Sequence, residues 1–218
     1  MNEIFAVYGV SGCGRSLMPI AREQLKSLYN NSQVIFIDDA LQHNTIVNRS
    51  IAMNYNAFKK LAYARKRVLI AIASSSIREK IADKLEKDGI LLWQVQATST
   101  VIMDEVMISE GAALSPFVTI GANVTIGKCF HANLYSYVEH DCIIGNYVTF
   151  APRVSCNGNI HIHDHVYVGA GAVIKQGTLD KPLIIGTGAI IGMGAVVTKD
   201  VPAGAVVVGN PARLLLKS

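Results

Sequence analysis

Thr119-Ile120-Gly121-Ala122-Asn123-Val124-Thr125-Ile126-Gly127 states one pattern twice in nine residues: Thr-Ile-Gly, three residues, Thr-Ile-Gly. Outward from it, every sixth residue is apolar or small: Ile102, Ile108, Leu114, Ile120, Ile126, Ala132, Val138, Ile144, Phe150, Cys156, Ile162, Val168 and Ile174. None of the thirteen is charged. The residue two places earlier is usually small or apolar as well, as at Val118, Val124, Phe130, Cys142 and Val148. A one-residue slip falls between Gln176 and Leu183, and the pattern resumes at Ile185, Ile191 and Val197. A six-residue period does not fit an α-helical stripe, whose face recurs every three or four residues. It fits a parallel β-helix in which each flat face consumes one hexad and three faces make a coil. Glycine often follows the stacked residue, as at Gly121, Gly127, Gly145 and Gly169, and is expected there to permit the tight corner.

The N-terminal half reads differently, as strands alternating with helices and therefore as a parallel sheet. Strands are expected at Ile4 to Tyr8, Val34 to Ile37, Val68 to Ala73 and Leu91 to Val95. Helices are expected from Arg15 to Leu28, weakly over 55–65, and from Ser76 to Asp88. Ser76 and Glu79 have capping-box spacing, and Gly89 suits the position after the last turn. The first strand runs into Gly9-Val10-Ser11-Gly12-Cys13-Gly14. Glycines between a strand and a helix let backbone N–H groups approach a phosphate. Asp38 and Asp39 end the next strand, where a carboxylate would meet a ribose or base. The spacing is G-x-x-G-x-G rather than the dinucleotide G-x-G-x-x-G, which argues against a full dinucleotide site. Two simpler readings stand beside this one: a glycine turn needed only for close packing, and Asp38 as a helix N-cap.

Composition agrees with this division. Of 218 residues, 50% are hydrophobic and 17% charged, too apolar for a disordered chain. The longest aliphatic run, Val68 to Ala73, is far short of a membrane span. The start of the chain shows no leader pattern, so a cytoplasmic location is expected. The net charge of +4 is not gathered into a basic stripe, so no nucleic-acid or membrane partner is expected; small phosphorylated ligands suit it better. Cys13, Cys129, Cys142 and Cys156 form no CxxC pair, against a zinc ribbon or a disulfide scaffold.

Three stretches carry a family resemblance: Tyr8-Gly9-Val10-Ser11-Gly12-Cys13-Gly14, Val138-Glu139-His140-Asp141-Cys142-Ile143-Ile144-Gly145 and Gly209-Asn210-Pro211-Ala212-Arg213. Ile35-Phe36-Ile37-Asp38-Asp39 also matches. The chain resembles the hexapeptide-repeat nucleotide-sugar acetyltransferases that use acetyl-coenzyme A. They include the bacillosamine-pathway acetyltransferases and the sialic acid O-acetyltransferases. The resemblance implies an α/β Rossmann-like UDP-sugar-binding domain over 1–96 and a left-handed parallel β-helix acetyltransferase domain over 97–218. It also implies a homotrimer with active sites between subunits.

By that resemblance His140 is the general base, and imidazole suits the task because it titrates near the working pH. Asp141 matches the acid that orients the ring, with Glu139 a second candidate. Asn133 matches a sugar contact; an asparagine tolerating a left-handed corner is the simpler alternative. Thr149 stands where relatives often carry a second histidine. Gly158, Ala170, Met193 and Gly194 match the groove for the pantetheine arm, and Pro211 and Arg213 the tail near the adenine. Gly12, Cys13, Gly14, Asp38 and Asp39 would hold the UDP. The expected reaction is acetyl transfer from acetyl-CoA to the 4-amino group of a UDP-4-amino-4,6-dideoxy-N-acetyl-hexosamine, giving UDP-N,N′-diacetylbacillosamine. The alternative is O-acetylation of a sialic acid. No metal is expected. The run His161, His163 and His165 is read as solvated or interface histidines, since the H-x-x-x-x-H pair of the β-helix carbonic anhydrases is absent.

Overall fold

The computed structural model describes residues 2–28 and 33–215. The chain divides into two compact units, Met1–Ala97 with Glu110–Ala113, and Thr98–Ser109 with Leu114–Ser218.

The first unit is a six-stranded sheet with helices. Its strands are β1 (Glu3–Tyr8), β2 (Val34–Ile37), β3 (Thr45–Val47), β4 (Ser50–Met53), β5 (Arg65–Ile70) and β6 (Leu91–Leu92). Its helices are α1 (Gly12–Leu28), α2 (Tyr55–Lys59) and α3 (Ser75–Lys87). The order is β3-β4-β2-β1-β5-β6, parallel throughout except for the β3–β4 hairpin. All of β2 and five of the six residues of β1 are buried, the mark of strands covered on both faces. Leu17, Met18, Ala21 and Leu25 of α1 pack on Phe5, Val7, Phe36 and Leu69. The chain leaves β1 toward β2 on one side and returns to β5 on the other. The Gly9–Gly14 turn therefore sits at a switch point, where open α/β sheets bind ligands.

Several local expectations shift. Residues 55–65 hold only the short α2, capped by Asn54, whose Oδ1 accepts from the Ala57 N–H at 2.9 Å. The third strand starts at Arg65 and ends at Ile70, because its first half pairs with Glu3 to Phe5. Ser74, rather than Ser76, caps α3, accepting from the Ile77 N–H at 3.4 Å. Gly89 does follow the helix in the left-handed region, with φ +68°. The expected fourth strand splits into β6 and a separate Val95–Gln96. The β3–β4 hairpin turns on Asn48 and Arg49, both at positive φ, without the glycine that announces such a turn.

The second unit is a coil of two- and three-residue strands in three ladders, parallel except where Arg213–Leu214 pairs antiparallel with Val206–Val208. Thr119–Ile120 pairs with Val101–Ile102 before it and Tyr137–Val138 after it. Thr125–Ile126 lies likewise between Met107–Ile108 and Ile143–Ile144, and His131–Ala132 pairs with Thr149–Phe150. Each step is eighteen residues, three hexads to a coil, so the inward residues stack into one apolar column. Ile162 pairs with Ile185 instead. Ile174 and Ile185 are eleven apart where six is the rule, so five residues are inserted, which a six-residue period registers as a slip of one.

The glycines that follow the stacked residue do not make the corners. Left-handed φ falls two residues later, at Asn123, Cys129, Tyr135, Asp141, Tyr147 and Arg153 in the middle coils, and at Gly171, Gly188, Gly194 and Gly204 further along. The non-glycine residues cost about 1 kcal/mol or more each in isolation. Here the turned N–H finds a carbonyl one coil back: Asn123 to Asp104 at 3.1 Å, Asp141 to Ala122 at 3.0 Å, Tyr147 to Lys128 at 2.7 Å. The glycines answer a different demand, the approach of neighbouring coils. A Cβ on Gly121 would lie 2.8 Å from the His140 nitrogen, on Gly145 2.7 Å from that of Asp164, and on Gly169 2.5 Å from that of Met193.

Candidate active site

His140 stands on the corner between strands Tyr137–Val138 and Ile143–Ile144. Val138 is buried in the column, Glu139 is held by its N–H to Cys156 O at 2.8 Å, and His140 projects outward. The imidazole is about half exposed, and its Nδ1 lies 2.7 Å from Asp141 Oδ2. The other oxygen, Oδ1, accepts from Asn123 Nδ2 at 3.0 Å. Nδ1 donates to the carboxylate, which leaves Nε2 with the lone pair and able to take a proton. The hydrogen bond to Asp141 raises the His140 pKa above its ordinary value; slight burial opposes this, and the charges of Asp141 and Glu139 add to it. Glu139 therefore acts on the ring through charge, while Asp141 orients it. Asp141 is lowered in turn by its bonds to His140 and then Asn123. The ring lies over Gly158, where a Cβ would come within 2.6 Å of Cε1 and 2.7 Å of Nε2. Only glycine leaves that space.

The expected site residues fall on two corners of the coil. His140, Asp141 and Gly158 share the first. Further along it, Gly177 donates to Gly158 O at 3.0 Å, and beyond lies a cavity of about 550 Å³ bordered by Lys175, Lys181 and Lys199. Asn133, Ala170, Met193 and Gly194 belong to the second corner, which follows the ladder of His131, Thr149 and Tyr167. Gly194 donates to Ala170 O at 2.9 Å, and Met193 is 82% exposed. Asn133 is not in the left-handed region, which is taken by Tyr135, so the simpler explanation of this asparagine fails. Its Nδ2 donates to Phe150 O at 2.7 Å. Thr149 is buried in the ladder. Pro211 follows a cis peptide bond in the exposed tail, and Arg213 borders a cavity of about 680 Å³ with Lys199 and Leu214.

In the first unit, Asp38 is already engaged. Its Oδ2 accepts from Val10 N at 3.2 Å and its Oδ1 from Ala40 N at 3.0 Å, so it pins the glycine turn and is not a helix cap. A Cβ on Gly14 would lie 1.9 Å from Gly9 O, whereas nothing lies within 4 Å of one on Gly12. Close packing thus explains Gly14, and open space remains at Gly12. Asp39 accepts from the Tyr8 hydroxyl at 2.6 Å and lies 3.5 Å from Lys84 Nζ. Lys84 also sits 3.9 Å over the Tyr55 ring. Burial raises the Cys13 pKa, opposed by the charge of Arg78. Arg78 is fully buried and donates to Ile72 O at 2.9 Å and Ala73 O at 3.0 Å.

No protein-family model matches the chain. It is 46% identical over 217 residues to a GDP-perosamine N-acetyltransferase of Escherichia coli O157:H7, covering 99% of this chain and 98% of that one. The chain belongs to the hexapeptide-repeat sugar N-acetyltransferases. Among solved structures, WeeI from Acinetobacter baumannii AYE matches with a TM-score of 0.94 and 58% identity, over 98% of this chain and 100% of that one. PerB from Caulobacter crescentus, solved with CoA and GDP-perosamine, shares the fold at a TM-score of 0.73 and 24% identity, over 97% of each chain.

Among the described residues of this acetyltransferase, no group of three His, Cys, Asp or Glu side chains is placed to hold a metal ion. No described helix is long and apolar enough to cross a membrane. Asn123, Arg78 and the three lysines escaped the sequence reading. Asn123 carried a usable signal, because it precedes Asp141 by one eighteen-residue coil. Gly158 follows His140 by the same step. Arg78 and Lys84 carried none, since their positions depend on how α3 packs.

Proposed function

We propose that this enzyme transfers acetyl from acetyl-CoA to an amino group of a nucleotide-linked amino sugar. The amine nitrogen attacks the thioester carbonyl carbon, the C–S bond breaks, and the sulfur leaves with its electron pair. His140 Nε2 takes the proton the nitrogen loses and returns it to the departing thiolate. Backbone N–H groups would stabilise the oxyanion. The observation that carries this reading is the His140 ring, held through Nδ1 by Asp141 at 2.7 Å with Nε2 left to act as base.

The N-terminal unit is proposed as a Rossmann-like domain that receives the nucleotide sugar at the Gly9–Gly14 turn. Its strand order and the open space at Gly12 support that use. The coil is proposed to be left-handed, as in the resembling acyltransferases. Lys175, Lys181 and Lys199 offer cations to the phosphates of coenzyme A along the His140 corner. Asn133, Ala170, Met193 and Gly194 stand on a different corner from His140. A site that uses both sets needs a second copy of the chain, which supports a homotrimer with sites between subunits. For the acceptor, GDP-perosamine stands beside the UDP-4-amino-4,6-dideoxy-N-acetyl-hexosamine, since the curated relative over the full length is named for the former.

A thiol-release assay with acetyl-CoA tests this across both sugar nucleotides and free sialic acid. One of the two sugar nucleotides is expected to release CoA. His140→Ala should lower turnover by about 10² or more with the melting temperature unchanged. Near-wild-type turnover in that variant, or release with sialic acid alone, overturns the reading.

A further inference from the structure

We propose that Asn123 is a positioning residue that sets the proton chemistry of His140 through Asp141, an inference that rests on His140 acting as the base. Asn123 and Asp141 occupy the same corner position on successive coils, both left-handed, at φ 58° and 56°. Each has its backbone N–H tied to the coil before it, so the column that carries them is rigid.

The carboxylate itself is exposed. Alone, it could rotate and exchange the imidazole for water. Two bonds to different oxygens define its plane instead: Oδ2 to His140 Nδ1 and Oδ1 from Asn123 Nδ2. The Asn123 amide nitrogen is a donor only, so it favours the ionised carboxylate. An oriented, ionised Asp141 keeps the proton of the neutral ring on Nδ1 and the lone pair on Nε2. The other titratable groups facing the ring are Glu139 beside it and the Cys142 thiol, which contacts His140 O at 3.6 Å and Asn157 O at 3.2 Å. Neither bonds the ring, so the Asn123–Asp141 link is the geometric control.

Asn123→Gly and Asn123→Asp test this in the full-length enzyme. Glycine adopts the left-handed corner freely, and aspartate tolerates it, so neither change breaks the coil. The measurements are kcat and KM against pH, and the tautomer and titration of the His140 ring by ¹⁵N-correlated NMR without substrates. Asn123→Asp sets a second anion beside Asp141, and the acid limb of kcat/KM should move up by about half a pH unit or more. Asn123→Gly should lower kcat about three- to tenfold with KM for acetyl-CoA unchanged, and should weaken the Nδ1–H preference. Wild-type pH profiles and tautomer in both variants overturn the proposal. So does a lowered melting temperature with kcat and KM falling together and the pH profile unmoved. If His140→Ala is inactive while the Asn123 variants behave as wild type, this inference alone fails. An active His140→Ala enzyme removes the base assignment on which it rests.

Discussion

Both units of this chain are built on parallel strands, yet they keep register by opposite means. In the sheet, β1 pairs with β2 and with β5 across connections of unlike length, and each contact occurs once. In the coil, one eighteen-residue step is repeated along all three ladders until the insertion before Leu183. A singular arrangement depends on a few close approaches. A repeated one spreads the same demand over many equivalent positions. Glycine shows the difference: Gly14 meets one carbonyl, that of Gly9, while Gly121, Gly127, Gly145 and Gly169 meet the next coil in the same way.

The largest effect is expected at Gly14. Gly14→Ala places a methyl 1.9 Å from a backbone oxygen and should destabilise the first unit by about 3 kcal/mol. Denaturant melts should show the loss, and hydrogen exchange should place it in β1 and β2 rather than in the coil. Gly12→Ala, with open space, should stay within about 0.5 kcal/mol of wild type. It should raise only the KM for the sugar nucleotide, because it crowds the approach to the turn.

Gly158→Ala sharpens the contrast within the coil. Its methyl meets a half-exposed, rotatable imidazole rather than backbone. The coil should melt nearly as wild type while kcat falls about ten- to a hundredfold, the result of a displaced base. Unchanged kcat would show that the ring need not lie on Gly158.

A smaller effect is expected at Asp141→Asn. The bond to Asp141 raises the His140 pKa, so the base becomes neutral only at higher pH than an ordinary histidine. Removing the anion lowers that pKa, and the acid limb of kcat/KM should shift to lower pH. The plateau should fall several-fold as orientation is lost. A limb that stays in place would mean that Asp141 does not control the ring.

How much was legible follows the same division. The coil's hexads named its buried column almost residue by residue, because an inward side chain every six residues is a local rule. The corner glycines were misread because one local pattern serves two geometries: bending the chain, and letting two chains approach. In the sheet, the continuous apolar runs announced strands but not their ends, since Arg65 to Arg67 become strand only by pairing with Glu3 to Phe5. The Asn48–Arg49 turn lacked any signal, and the Ser74 cap lost to an equally good candidate two residues later.

The sequence determined the coil and its apolar column, for these follow from the period, and it offered His140 through the family resemblance of its motif. The eighteen-residue step pointed to Asn123 and Gly158, but tertiary structure decided what they touch: Asn123 Nδ2 on Asp141, and Gly158 under the His140 ring. It also decided that His140 and Asn133, seven residues apart, face from different corners. The reason is physical. A period reports which side of the chain is buried, whereas contact between coils depends on their register and on where the backbone turns left-handed.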